Sequence, residues 1–208
     1  MNTHIKLLVW NCRGAASKAF YRYSKQYMDL YKHDLYVVIE TRSDPSKLTK
    51  PMKRLGFDDC ISMKNVGYSG GICVAWKADK MVVNLLHKET QFIHCRIKEH
   101  VVKEWLFTAI YASPNDSIRG ILWDKICSLS KDMTEPWLLA GDFNDVASSL
   151  DKKGGAPVSH RKCKLFMDKI NNCKLVHLET AGPKYTWRGS LLDPRRSVHL
   201  REARQNFE

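Results

Sequence analysis

Paired cysteines are the first thing this sequence lacks. Its seven, Cys12, Cys60, Cys73, Cys95, Cys127, Cys163 and Cys173, are scattered, odd in number and contain no C-x-x-C. That scatter argues against a disulfide framework or a zinc site and points to a reducing compartment. Long hydrophobic runs are missing too: no apolar stretch approaches the ~20 residues that span a bilayer. The N-terminus enters a strand-like run directly, without a signal-peptide pattern. The expectation is a soluble, intracellular chain with no membrane partner. Internal repeats and low-complexity linkers are also absent. The histidines His4, His33, His87, His94, His100, His160 and His177 show no metal-ligand spacing. Acidic charge is scarce, with 22 Asp+Glu against 34 Lys+Arg and a net charge of +12. Such an excess favours a polyanionic partner, nucleic acid ahead of an acidic membrane, over a merely solvated basic surface.

What is present is ordinary globular composition, 44% hydrophobic and 27% charged. A chain of 208 residues is expected to form one domain with an ample core. The reading is one α/β domain over 1–190 and an irregular charged tail over 191–208, either a frayed helix or disordered.

The rest of the chain is organised around Pro136-Trp137-Leu138-Leu139-Ala140-Gly141-Asp142-Phe143-Asn144. The apolar run is too short for a helix and suits a strand buried on both faces. Gly141 is expected to let the chain bend sharply. Asp142 and Asn144, two apart, are expected to project to the same side of an extended segment. A carboxylate and a carboxamide placed together can hold a water and an oxyanion, as phosphodiester hydrolysis requires. Asp and Asn are equally at home in an Asx-turn, which is the bland alternative.

Around that stretch the pattern predicts a strand over Ile5–Trp10 and a helix over about Ala16–Lys32. In the helix, Phe20, Tyr23 and Tyr27 are expected to pack on a sheet. A buried strand follows at Leu35–Ile39, then a short helix opened by Asp44-Pro45, and a strand near Cys60-Ile61. Four strands at Gly70–Trp76, Met81–His87, Gln91–Lys98 and Glu104–Tyr111 are spaced for antiparallel hairpins. Ser117 is expected to cap a helix to about Lys131. Beyond Asn144 come a basic Lys152-Lys153-Gly154-Gly155 loop, a helix over Arg161–Asn172, a strand around Leu175–His177 and a strand after Gly182-Pro183. Alternating elements at both ends with hairpins between suggest an α/β sandwich, two mixed sheets with helices outside.

Four apolar runs end in chemistry-bearing residues: Asn11, Glu40, Tyr111 and the Asp142/Asn144 pair. In α/β folds, sites collect beyond strand ends. The motifs Trp10-Asn11-Cys12-Arg13-Gly14, Ile39-Glu40-Thr41, Ser69-Gly70-Gly71, Ile110-Tyr111-Ala112-Ser113-Pro114, Gly141-Asp142-Phe143-Asn144 and Gly182-Pro183-Lys184-Tyr185-Thr186-Trp187 also carry a resemblance. In that order they resemble the endonuclease/exonuclease/phosphatase superfamily. More narrowly, they are similar to the endonuclease domain of plant non-LTR, LINE-type retrotransposons. Each motif is weak alone and the ordered series is strong, covering about Ile5 to Arg188.

The resemblance implies a four-layered α/β sandwich that hydrolyses phosphoesters with a divalent metal, Mg²⁺ or Mn²⁺. DNA is the implied partner, with no obligate protein partner and a nuclear location. It makes Glu40 the metal-binding carboxylate, with Asn11 beside it and Asp142 as a further metal contact. Tyr111 would touch the scissile phosphate, Asp142 would orient or deprotonate the attacking water, and Asn144 would stabilise the transition state. Arg13, Lys152, Lys153 and Arg188 are candidate contacts to DNA phosphates.

The chain departs from the family pattern in one respect: no Ser-Asp-His occurs in it. Asp193 and His199 do not stand at the right spacing. By the resemblance, two to three core strands and the catalytic His are expected to be missing, as in a shortened retroelement copy. Two rivals therefore stay open. The first is a non-catalytic basic remnant that binds nucleic acid weakly, which the absent motif favours. The second is a phosphatase of small phosphoesters, which the positive charge and the Gly182–Trp187 segment disfavour.

Overall fold

The computed structural model describes residues 5–66, 69–100, 104–154, 156–178 and 204–206. The expected strand after Gly182-Pro183, with Arg188, lies outside the described residues, as does most of the charged tail.

Two sheets stack face to face. The first has the order β1 (Leu7–Asn11), β2 (Leu35–Ile39), β4 (Ser69–Trp76), β3 (Asp59–Val66). The second runs β5 (Met81–Glu89), β6 (Phe92–Glu99), β7 (Glu104–Tyr111), β8 (Trp137–Asp142), β10 (Arg204–Asn206), β9 (Val176–His177). Within the expected tail, then, residues 204–206 pair antiparallel with β8. Both sheets are mixed: β1 and β2 are parallel, as are β7 and β8, while β2–β4, β5–β6 and β6–β7 are antiparallel.

Three apolar layers separate four structural ones. Leu35, Val37, Ile39, Ile72, Val74 and Phe107 help fill the seam between the sheets. Helices α1 (Lys18–Tyr31) and α2 (Thr49–Arg54) cover the outer face of the first sheet through Phe20, Met28 and Met52. Helices α3 (Asp116–Ser130) and α4 (His160–Asn172) cover the second through Leu122, Trp123, Phe166 and Ile170. The expected four-layered α/β sandwich is the observed one. Strand alternation accounts for it: Val37 and Ile39 face the seam, and Tyr36 and Val38 face the helices.

Local differences from the sequence reading have physical causes. In α1 the face turned to the sheet is Phe20, Ser24 and Met28, while Tyr23 and Tyr27 remain 45% and 44% exposed. A buried serine is tolerated there because its hydroxyl bonds the Tyr36 hydroxyl at 2.9 Å. The segment opened by Asp44-Pro45 is a 3-10 turn, Pro45–Lys47, followed by α2. Helix α3 is capped by Asn115 rather than Ser117, since the Asn115 carboxamide oxygen accepts from Ser117 N and Ile118 N. Among the described residues, no helix is long and apolar enough to cross a membrane.

Beneath β8 lies a buried polar triad. The Trp137 indole N–H donates to Thr108 Oγ1 at 2.7 Å, and that hydroxyl meets His94 Nδ1 at 2.8 Å. An indole can only donate, which leaves the threonine its own hydrogen for the imidazole. Burial, with His87 and Arg96 nearby, holds the His94 pKa down to about 4. In the unfolded chain it is ordinary, about 6.5. Between those values the unfolded chain binds a proton that the folded one refuses. Stability is therefore expected to fall as pH drops from about 6.5 toward 4, by about 3 kcal/mol in all. Melting curves across that window should show a steeper loss for the parent than for His94→Leu; identical slopes would contradict the assignment.

Candidate active site

The polar end of the seam is assembled from two parallel strand pairs, one in each sheet. Asn11 stands level with Ile39 where β1 and β2 end, and Tyr111 stands level with Asp142 where β7 and β8 end. Asn11 Nδ2 donates to Asp142 Oδ2 at 2.8 Å, joining residues 131 positions apart and tying one sheet to the other. Asn11 Oδ1 is buried and has no hydrogen-bond partner among the described residues.

Glu40 comes immediately after β2, with φ 56°, so it departs from strand alternation. Its flanking backbone is bonded on both sides. Cys12 N donates to Ile39 O at 3.1 Å and Ala15 N to Thr41 O at 2.8 Å. On the other side, Thr41 N and Arg42 N donate to Gly71 O and Gly70 O, both at 3.2 Å. Gly70 and Gly71 have φ of 93° and 87°, a region open to glycine, which accounts for the glycine pair at this point. The Glu40 side chain is only 10% exposed and accepts from the Arg42 guanidinium through both Nε and Nη2.

Asp142 is held by two donors, Asn11 Nδ2 on Oδ2 and Asn144 N on Oδ1 at 2.9 Å. Removal from water raises its pKa above the usual aspartate value, the nearby Glu40 charge adds to that, and the two donors and Arg13 oppose it. Asn144 does not continue the strand. Its φ of 47° turns it away, and Nδ2 donates to Ala112 O at 2.7 Å. The expectation that Asp142 and Asn144 share one side of an extended segment is thus corrected: an Asx-turn places them. The Asx-turn, the bland alternative, is the observed geometry.

Gly141 also acts otherwise than expected. Strand β8 runs straight through it, and a Cβ there would lie 1.9 Å from Ile110 O. The glycine permits the close approach of β7 and β8 that sets Tyr111 beside Asp142.

Further residues frame the site without any sequence signal. Arg119, in α3, is 6% exposed and donates to Ser113 O at 2.7 Å, to Asp116 Oδ1 at 2.6 Å and to Asp145 Oδ2 at 3.0 Å. One buried guanidinium thus fixes the loops after Tyr111 and after Asn144. Gln91 Oε1 accepts from Ser113 N at 2.6 Å. An arginine on a helix reads as surface, and only its partners from distant loops reveal it.

Of the expected nucleic-acid contacts, Arg13 is exposed and close enough to Asp142 to lower its pKa. Lys152 lines a cleft of about 410 Å³ with Asn144, Arg119 and Lys162. Its Nζ donates to Ala156 O at 2.7 Å, and Lys162 Nζ pairs with Asp116 at 2.8 Å. Lys153 is exposed beside it. Four described non-glycine residues with positive φ, Arg13, Glu40, Arg42 and Asn144, cluster here, while Lys32 and Lys174 follow helix ends. Such conformations cost about 1–3 kcal/mol each and gather at functional sites.

The endonuclease/exonuclease/phosphatase family model matches residues 8–197. The fold is similar to that of the endonuclease domain of TRAS1, a telomere-specific non-LTR retrotransposon. There the TM-score is 0.68 and the identity 12%, over 97% of this chain and 84% of that one. It is similar also to the 3' phosphatase NExo from Neisseria bound to a product DNA hairpin (TM-score 0.71, 14% identity, 97% and 86% covered). An AP endonuclease from Archaeoglobus fulgidus matches with TM-score 0.64 and 14% identity, over 84% and 72%. At these identities the likeness is one of fold. No curated protein matches the sequence.

Because the Gly141 site has no room for a methyl group, Gly141→Ala is expected to destabilise the fold by roughly 3 kcal/mol, the upper range of overpacking. Denaturant unfolding checks this, and an unchanged midpoint would contradict the close approach.

Proposed function

Because the chain belongs to the endonuclease/exonuclease/phosphatase family, we propose that it is a metal-dependent DNA endonuclease of retrotransposon type, nicking phosphodiesters at the polar end of the seam. The observation that carries this reading is the 2.8 Å Asn11–Asp142 bond, which gathers donors from both sheets around Glu40. The likeness to a retrotransposon endonuclease domain and to a phosphatase bound to a DNA hairpin supports a nucleic-acid substrate, as does the net charge of +12.

A divalent cation fits the donors. Glu40 and Asp142 are hard oxygen ligands close enough to influence each other, and Asn11 Oδ1 is a buried acceptor without a partner among the described residues. Among the described residues no cluster of three His, Cys, Asp or Glu side chains forms a metal cage. Glu40 with Asn11 would hold Mg²⁺ or Mn²⁺, with Asp142 beside them, since hard oxygen donors suit either ion. When bound, such an ion polarises a phosphoryl oxygen as a Lewis acid.

The chain's own groups supply the rest. Asp142, with its raised pKa, is a better base than an ordinary aspartate; it orients the attacking water and takes its proton. Asn144, anchored by one amide hydrogen on Ala112 O, keeps a second to donate to the negative charge developing on the phosphoryl oxygens. Tyr111, buried and level with Asp142, contacts the scissile phosphate. Arg13, Lys152, Lys153 and Arg188 hold flanking phosphates, with Lys162 of the same cleft added to them.

A second reading, in keeping with the net charge of +12, is a non-catalytic basic remnant that binds nucleic acid weakly. Nicking of supercoiled plasmid in Mg²⁺ separates the two. The proposal expects Glu40→Ala and Asp142→Asn, shown folded by circular dichroism, to lose about 10²-fold or more in rate. Equal conversion by parent and variants would leave the remnant reading.

A further inference from the structure

Cys127 lies in the last turns of α3, and Cys173 is the residue that ends α4. Their sulfurs are 2.8 Å apart, closer than two unbonded thiols normally sit, and neither is in a disulfide. Both belong to the apolar layer between the second sheet and its helices, where Cys173 is 1% exposed and Cys127 is partly accessible. From the geometry we infer that Cys127 and Cys173 form an oxidisable dithiol, closed to a disulfide by a peroxide or by a disulfide oxidant such as oxidised glutathione. The bridge would span a separation of 46 residues that contains all of β8, Asp142, Asn144 and the Lys152 loop.

The two sulfurs have different roles. Burial and the neighbouring thiol push the Cys173 pKa up to about 12, so it is a poor first nucleophile. Cys127, the accessible sulfur, attacks the peroxide, forming a sulfenic acid and releasing water. Cys173 then attacks that sulfur and hands its proton to the departing hydroxyl as a second water leaves. The balance is two thiols and one hydrogen peroxide to one disulfide and two waters. No large movement is needed, since the sulfurs already touch.

The bond would fix the far ends of the two helices whose near ends frame the cleft beside Asn144, where Lys162 of α4 pairs with Asp116 of α3. The inference does not depend on the proposed hydrolysis and is tested without it. The purified full chain is treated with one equivalent of hydrogen peroxide at neutral pH, digested with trypsin without reduction, and mapped by mass. A linked pair of peptides Ile126–Lys131 and Ile170–Lys174 is expected. A melting temperature about 10 °C above that of the reduced chain, reversed by dithiothreitol, should accompany it. Each variant, Cys127→Ser and Cys173→Ala, is compared with itself before and after oxidation, so a lower starting stability does not matter; neither should gain. Unlinked peptides, linkage of either cysteine elsewhere, or an unmoved melting temperature would overturn the inference.

Discussion

Ile39 and Ile72 of one sheet meet Phe107, Ala109 and Ala140 of the other in a seam from which water is excluded. Each sheet needs that seam, because an apolar face left open costs about 25 cal/mol for each Å² exposed. Its outer faces are covered in turn by α1 and α2 on one side and by α3 and α4 on the other. The parallel pairs β1–β2 and β7–β8 therefore end together. The apolar side chains stop there, and the backbone delivers Asn11, Glu40, Tyr111 and Asp142 to one place.

The same arrangement makes the site rigid and strained. Glu40 sits between two sets of backbone hydrogen bonds, Asp142 between two donors, and the loops beyond them on one buried arginine. Preorganised dipoles of this kind need little rearrangement as charge develops, which is where electrostatic catalysis gains most. The left-handed conformations at Glu40, Arg42 and Asn144 are stable only because their neighbours hold them. The seam thus supplies the energy, and its polar end spends part of it on geometry.

Much of this was legible from the chain, and the limits have physical causes. Strand runs such as Leu35–Ile39 announce themselves, because burial on both faces leaves no polar interruption. Asn11, Glu40, Tyr111 and Asp142 were legible as ends of such runs. Whether they meet was not, since that depends on contacts between residues more than 100 positions apart. The Asp142-x-Asn144 spacing suggested an extended segment, whereas a turn places the carboxamide. Tyr23 misled because an aromatic at helical spacing looks like core, whereas Tyr27, though half exposed, still meets Trp10 of β1 and Ser24 holds the inward position through its bond to Tyr36. Arg119, Arg42 and the Cys127–Cys173 contact had no signal at all, since each is defined by its partners.

On the proposed function, the two sheets meet in one cooperative catalytic unit. A double-mutant cycle across the Asn11–Asp142 bond tests it most directly, with cleavage of a labelled duplex and denaturant stability followed in parallel. Asn11→Ala, Asp142→Ala and the double variant are compared with the parent. The double variant is expected to cleave about as slowly as Asp142→Ala alone, because groups acting as a unit do not lose their effects twice. Independent, additive losses in cleavage, or losses that merely follow stability, would contradict it.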